Sequence, residues 1–212
     1  MTEAEARKRM AVLAKSIFDR GLTCGSSGNI SMRIASGILM TPTGSTMGDL
    51  DPDRISLLTE TGTHISGDKP TKEAFLHMAM YDMRPQAGAV VHLHSTASVA
   101  VSCLDGLDPN DVLPPLTAYY VMRIGRLPLV PYFAPGDLAL AEAVRAKAAD
   151  HHAVLMANHG PVVAGKTLED AVYASEELEE AAKIYLTLRH LTPNPLTQDQ
   201  VDDLNRRYPK DV

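Results

Sequence analysis

The sequence is poor in cysteine and has no long apolar run. Its 212 residues include two cysteines, Cys24 and Cys103, which lie far apart and form no C-x-x-C motif. This argues against both a disulfide framework and a thiolate metal site. No apolar run approaches the roughly 20 residues that cross a bilayer, and the opening MTEAEARKRM contains no apolar signal segment. We therefore expect a cytoplasmic protein that does not associate with a membrane.

Basic residues are fewer than acidic ones, 20 against 26, so the formal net charge is -6. A negative surface repels the phosphates of nucleic acids and anionic lipids, so we expect neither as a partner. A phosphorylated small molecule remains open if basic groups are clustered locally. With 45% hydrophobic residues, the chain can bury a sizeable core. We interpret residues 1–212 as a single domain, in which 192–212 form a polar tail that packs loosely or covers a neighbour.

The hydrophobic pattern predicts helix, sheet, helix, strand, helix, strand and helix in that order. Thr2 and Glu5 form a capping box before the first amphipathic helix, and Thr167 and Asp170 form another before the last. Turn residues divide the segment after the first helix into short strands, which suggests an antiparallel sheet. This order predicts an α/β fold with three α/β/α layers around a mostly antiparallel central sheet.

Two histidines flank one leucine in AVVHLHSTAS, residues 89–98. Alternate side chains of a strand share a face, so His92 and His94 would project together as a chelating pair. For this motif alone, a metal site and a hydrogen-bonded pair at a strand edge are equally good interpretations. His159, in VLMANHGP, ends a second apolar strand, where it could line a cleft. Three imidazoles would leave one position of a zinc-like ion open for catalysis.

Glu73 is the candidate carboxylate, in the first turn of a helix predicted over residues 71–85. An acidic residue there can also serve only to complement the helix dipole. His77, one turn further on, is interpreted as a residue of the helix face.

Three short segments, SSGNIS, TPTGS and KPTKE, are suited to binding an anion. Glycines or helix starts beside small polar side chains allow backbone N–H groups to approach a phosphate closely. Each segment is also compatible with ordinary turn chemistry, and Lys72 with a solvated helix start. The candidate residues are Asn29, Thr43, Gly44, Thr71 and Lys72.

The order of the motifs resembles that of the class II aldolase/adducin family, from residue 2 to about 190. These motifs are SGNIS, TPTG, KPTKE, a helix ending RP, VVHLHS and NHG. That family includes fuculose-phosphate and rhamnulose-phosphate aldolases and ribulose-phosphate 4-epimerase. Three longer segments are most similar to its branch that decarboxylates 3-oxo-tetronate 4-phosphates. They are KPTKEAFLHMAMYDMRP, VVHLHSTASVAVSCL and YYVMRIGRLPLVPYFAPGD.

The resemblance implies a set of ligands for one divalent metal, zinc first and manganese or cobalt as alternatives. Glu73 would be the acid/base that can also touch the metal, and the other ligands would be His92, His94 and His159. It also implies phosphate contacts from Asn29, Thr43, Gly44 and Thr71.

Lys72 departs from the family's sugar-phosphate aldolases, which carry a small hydroxyl residue at that position. A cation there would suit a substrate that bears a carboxylate as well as a phosphate. Tyr119 and Tyr120 match a region where a tyrosine of the adjoining subunit donates a proton, although either can equally be a core or interface aromatic. The implied assembly is a homotetramer with sites between subunits.

The implied reaction is zinc-dependent decarboxylation of 3-oxo-tetronate 4-phosphate to dihydroxyacetone phosphate and CO2 through a metal-stabilised enediolate, in the catabolism of four-carbon acid sugars. One alternative is an aldolase or 4-epimerase acting on another sugar phosphate, which would share every metal residue. The other is a non-catalytic adducin-like interaction domain, which the presence of all three histidines and Glu73 disfavours.

Overall fold

The computed structural model describes residues 1–134 and 136–209. Its framework is one sheet of eight strands: β1 (Asn29–Ile34), β2 (Gly37–Met40), β3 (Ser56–Leu58), β4 (His64–Ser66), β5 (Ala89–His92), β6 (Leu129–Val130), β7 (Ala153–Met156) and β8 (Gly160–Gly165). The strand order is β4-β3-β2-β1-β5-β8-β7-β6. Only the β6–β7 pair among the described strands is parallel, so the expected mostly antiparallel sheet is confirmed.

Helices cover both faces of this sheet. They are α1 (Glu3–Asp19), α2 (Ala74–Met83), α3 (Thr96–Ser102), α4 (Ala118–Arg123), α5 (Ala139–Ala148), α6 (Leu168–Leu188) and α7 (Gln198–Arg207). Val90 packs into the cluster beneath α2 and α5, whereas its neighbours Ala89 and Val91 face α1 and α6. This alternation is what a strand buried on both faces requires. The predicted three-layer α/β/α class is confirmed.

The capping boxes predicted at Thr2 and Thr167 begin α1 and α6. A third capping box at Thr197 begins α7, which packs against α4. The sequence pattern predicts no helix in that polar tail. Among the described residues, no helix combines the length and the apolarity needed to cross a membrane.

One end of the sheet gathers the candidate residues. β1 begins at Asn29 and β5 ends at His92, and antiparallel pairing sets these two residues opposite each other. The turn from β7 to β8, which carries His159, lies at the same end because Val162 pairs with His92. A bridge between Pro42 and Pro70 holds the TPTG and KPTKE segments side by side.

Candidate active site

Three imidazoles and one carboxylate converge at this end of the sheet. The rings of His92, His94 and His159 meet edge to face, with centroids 4.8, 4.9 and 4.9 Å apart. Glu73 completes the group: its Oε1 is 3.2 Å from His159 Nε2, and its Oε2 is 3.5 Å from His92 Nε2. One donor atom from each of the four residues lies within 4.8 Å of the other three.

The backbone that delivers each of these residues differs in detail from the sequence expectation. His92 is the last residue of β5 and His94 lies just beyond the strand, whereas His159 lies inside the β7–β8 turn. Glu73 is the N-cap of α2 rather than part of its first turn, and its side chain makes no capping hydrogen bond. The carboxylate is therefore directed to the histidines instead of to the helix dipole.

The β7–β8 turn has a conformation that its sequence favours. Asn158 adopts a left-handed φ of 55°, which asparagine tolerates better than most residues. Gly160 has φ of 148°, and a Cβ placed on it would lie 2.4 Å from the carbonyl oxygen of Leu93. Only glycine lets β8 approach the His92–His94 segment this closely, and that approach brings His159 to the other two imidazoles.

The surroundings of His92 and His94 keep these two imidazoles in the neutral form that binds metals. Nδ1 of the fully buried His92 lies 2.8 Å from the carbonyl oxygen of Pro161, so it donates there and leaves the Nε2 lone pair facing the cluster. Burial lowers the pKa of His92 to about 3, against the opposing charge of Glu73. Burial and then His159 also lower the pKa of His94. Neutral imidazoles are the metal-ligating form.

Glu73 carries the negative charge of the cluster. Burial would by itself raise the pKa of this carboxyl group. Its contacts with His159, His92 and Asn29 together outweigh burial and hold the pKa below the ordinary value. The donor set is thus three imidazoles and one carboxylate.

The spacing of the donors fits one divalent cation. Ligand atoms about 2.0–2.1 Å from a tetrahedral zinc ion lie roughly 3.3 Å from one another. Here Nε2 of His92 is 2.9 Å from Nε2 of His94, and Glu73 approaches His159 and His92 at 3.2 and 3.5 Å. Both the chemistry and the spacing of these residues therefore suit a metal of the zinc class.

A line of buried polar side chains stands behind Glu73. Asn29 Nδ2 donates to Glu73 Oε2 over 2.7 Å, and Asn29 Oδ1 is hydrogen-bonded to His77 Nε2. His77 Nδ1 lies 2.7 Å from Ser31 Oγ, which lies 2.9 Å from the hydroxyl of Tyr81. The sequence pattern predicts only that His77 lies on the face of the helix. Its spacing four residues after Glu73, which places both on one side of α2, was the available signal.

A cavity of about 450 Å³ opens beside the cluster and is lined by Glu73 and His94. The loop serines Ser26 and Ser27, which were not singled out from the sequence, also line it. The five candidates for anion binding all line the same cavity: Asn29, Thr43, Gly44, Thr71 and Lys72.

Several groups at this wall have hydrogen-bonding capacity left for a ligand. Asn29 uses one amide hydrogen on Glu73 and has a second. The ammonium of Lys72 forms no ion pair within residues 1–134 and 136–209. By contrast, the N–H of Thr43 is already donated to the carbonyl of Lys69, 2.9 Å away.

The two candidate tyrosines lie away from this cavity. Tyr120 is 1% exposed in the core, where burial raises the pKa of its hydroxyl. Tyr119 is 62% exposed and lines a separate cavity with Arg123 and Tyr208. Of the pair, only Tyr119 lies at the surface of the chain, and the proton-donor role stays a prediction.

Comparison with known proteins assigns this chain to a family. The profile described as Class II Aldolase and Adducin N-terminal domain matches residues 8–186. The chain belongs to the class II aldolase/adducin family. The family and the enzyme class expected from the motifs are thereby confirmed, and the chain is a metal-dependent carbon–carbon lyase.

Individual relatives within the class II aldolase/adducin family differ in activity. The chain is 49% identical over 203 residues to a 3-oxo-tetronate 4-phosphate decarboxylase of Escherichia coli O6:H1, covering 95% of this chain and 96% of the relative. It is 35% identical to an L-fuculose phosphate aldolase of Methanocaldococcus jannaschii, covering 85% and 95%. A crystal structure of YgbL from Klebsiella pneumoniae, described as an aldolase, epimerase or decarboxylase, superimposes with a TM-score of 0.94 at 45% identity, covering 96% and 99%.

Proposed function

We propose that this lyase decarboxylates 3-oxo-tetronate 4-phosphate to dihydroxyacetone phosphate and CO2, with zinc as its metal. The observation that carries the proposal is that two members of the four-residue cluster, Glu73 and His94, line a cavity that is also lined by groups suited to anions, including Lys72. The greater identity to the decarboxylase than to the aldolase, 49% against 35%, supports the same choice.

The reaction needs a site that tolerates negative charge. Cleavage of the C1–C2 bond releases CO2 and leaves an electron pair on C2, which is shared with the C3 carbonyl as an enediolate. A divalent metal, when bound, supplies a Lewis acid for this charge, a contribution typically worth several kcal/mol. His92, His94, His159 and Glu73 are the residues that would hold it.

Glu73 is the residue proposed to carry the proton that C2 receives. Its carboxylate lines the cavity beside the histidines and lies within general acid–base reach of a bound substrate. Because the pKa of Glu73 is held below its ordinary value, the carboxylate must first take this proton from solvent, since decarboxylation consumes one proton overall. Transfer to C2 then completes dihydroxyacetone phosphate.

The two ends of the substrate differ in what they require. The phosphate is proposed to bind at Asn29, Thr43, Gly44 and Thr71, where glycine and hydroxyl groups line the cavity. The C1 carboxylate is proposed to approach the ammonium of Lys72. This ion pair would select the substrate and orient its carboxylate in the cavity.

A linked-enzyme assay for triose phosphate, run together with CO2 detection, tests this function. Zinc-loaded protein should form both products from 3-oxo-tetronate 4-phosphate, and a chelator should abolish turnover. Glu73→Gln should lower kcat by about 10²- to 10⁴-fold while zinc content persists on the three histidines. Glu142→Gln, on the exposed face of α5, is the matched control. Formation of neither product, or chelator-resistant turnover, would overturn the proposal.

Aldol cleavage of another sugar phosphate is the second candidate, favoured by the aldolase relative at 35% identity. It passes through the same enediolate and uses the same metal residues. Product analysis separates the two: an aldolase yields an aldehyde with dihydroxyacetone phosphate from a sugar phosphate, and releases no CO2.

A further inference from the structure

Behind Glu73, four buried side chains form one continuous hydrogen-bonded line. Tyr81, Ser31, His77 and Asn29 are 1%, 0%, 0% and 4% exposed, and each is hydrogen-bonded to the next. The line ends where Asn29 donates to Glu73 Oε2. Burying polar groups costs free energy of folding, and an apolar side chain at position 77 would fill the same space at a lower cost.

The direction of every bond in this line can be worked out from its ends. Nδ2 of Asn29 donates to Oε2 of Glu73 over 2.7 Å. Oδ1 then faces His77, and because an amide oxygen only accepts, His77 must carry its proton on Nε2. Burial lowers the pKa of His77 to about 4, which leaves the ring neutral, and Nδ1 must accept.

The remaining two bonds follow from the same reasoning. Since Nδ1 of His77 accepts, the Ser31 hydroxyl donates to it, and the Ser31 oxygen accepts from the hydroxyl of Tyr81. Burial raises the pKa of Tyr81 above its ordinary value, so that hydroxyl keeps its proton. All four donors point toward the carboxylate.

We propose that His77 is a positioning residue for Glu73, acting through Asn29. The Nε2–H tautomer holds the Asn29 amide with Nδ2 toward the cluster, which pins Glu73 Oε2 and leaves Oε1 facing His159. The carboxylate is thereby oriented by the protein before any metal or substrate arrives. The hydrogen-bond pattern does not depend on the proposed function. Its effect on turnover rests on the role proposed for Glu73 in that function.

The tautomer can be measured without activity. The metal-free protein, labelled with ¹⁵N-histidine and assigned by comparison with His77→Gln, should show His77 as a neutral ring protonated on Nε2 near pH 7. A ring protonated on Nδ1, or a doubly protonated ring, would overturn the proposal.

Two substitutions of similar size separate positioning from packing. The amide of glutamine reaches about as far as Nε2 of histidine and can still donate to Asn29, whereas that of asparagine reaches only as far as Nδ1. Loss of one hydrogen bond in a chain that ends on a charge predicts a kcat for His77→Asn about 10- to 100-fold below that of His77→Gln. KM and zinc content should differ little between them.

The kinetic comparison is made on whichever substrate the wild-type enzyme cleaves, so failure of the decarboxylase proposal leaves it intact. His64→Asn, an exposed histidine on β4, serves as the matched control. If asparagine and glutamine at position 77 reduce kcat equally, or if kcat simply follows the melting temperature, His77 is a packing residue and the proposal is wrong.

Discussion

Lys72 is the single residue on which the choice of substrate depends most. It lines the cavity and has no ion-pair partner in the described part of the chain, so a substrate carboxylate would be its natural counter-ion. A charge-assisted hydrogen bond of this kind contributes about 1.5–3 kcal/mol.

Lys72→Met should therefore lower kcat/KM for 3-oxo-tetronate 4-phosphate by about 10- to 100-fold, because the variant loses this bond. Steady-state kinetics measures the effect. Lys69→Met is the control, since Lys69 is exposed nearby but does not line the cavity. Equal losses for the two variants would contradict the assigned role.

His77 also predicts how stability depends on pH. Its pKa falls from 6.5 in the unfolded chain to about 4 in the fold, chiefly by burial. Below pH 6.5 His77 binds a proton in the unfolded state but not in the folded state. The free energy of unfolding of metal-free protein should thus decrease as pH falls from 6.5 toward 4, by up to about 3 kcal/mol from this residue.

Urea unfolding of chelator-treated wild type and His77→Gln at pH 7.5 and pH 4.5 measures this contribution. The variant lacks the titrating ring, so its stability deficit should shrink at the lower pH. His92 titrates in both proteins and its contribution cancels. A deficit that is the same at both pH values would show that His77 is not the group responsible.

At the scale of elements, the position of His94 depends on α3, which begins one residue after Ser95. The buried carboxylate of Glu179, on α6, accepts hydrogen bonds from the N–H groups of Ala97 and Ser98 over 2.8 and 2.9 Å and from Ser98 Oγ over 2.8 Å. Ser95 makes no side-chain cap of its own. α6 therefore anchors the start of α3 and, through it, the segment that carries His94.

Glu179→Gln should cost about 1.5–3 kcal/mol of stability, because an amide cannot accept all three bonds. Zinc affinity should also fall by about 10- to 100-fold as the His94 segment loosens. Denaturation and zinc titration give the two values. Glu180→Gln, at an exposed neighbouring position on α6, should change neither. Unaltered zinc affinity in Glu179→Gln would disprove the link to His94.

Helices, strands and turns could be predicted from the sequence where the residues that specify them are close together in the chain. Capping boxes located the starts of α1 and α6, and the H-x-H motif and the NHG turn indicated three of the four clustered side chains. The α7 helix was missed although Thr197 carries the same kind of capping box, because the helix is almost wholly polar and nothing within its own segment indicates that it packs on α4.

The hydrogen-bonded line behind Glu73 could not be predicted from the sequence, because it depends on contacts between remote segments. His77 meets Asn29 and Ser31 only after β1 has paired with β5 and α2 has packed across that sheet. The same holds for Tyr119 and Tyr120, two adjacent residues of the same type, for which the sequence offers no reason to expect one in the core and the other exposed.

At the scale of the whole molecule, the proton-donor tyrosine is proposed to act across a subunit interface of a homotetramer. Tyr119 is the exposed one of the pair and lies outside its own chain's cavity. Glu73→Gln and Tyr119→Phe would then disable different halves of each shared site. Chains mixed at random would contain some sites with both residues intact.

Co-expression of the two inactive variants should accordingly restore about a quarter of wild-type turnover, since each half-site is intact with even odds. Sedimentation of the purified protein checks the tetramer. A mixture no more active than its two components would contradict a shared site that uses Tyr119.

The proposed chemistry depends above all on a single divalent ion that is held by Glu73, His92, His94 and His159. X-ray absorption spectroscopy of zinc-loaded protein, combined with metal analysis, tests this directly. We predict one zinc per chain, with scattering from three imidazoles and oxygen donors at about 2.0–2.1 Å, reduced to two imidazoles in His159→Ala. Zinc bound without imidazole scattering, or a spectrum that His159→Ala leaves unchanged, would contradict the account.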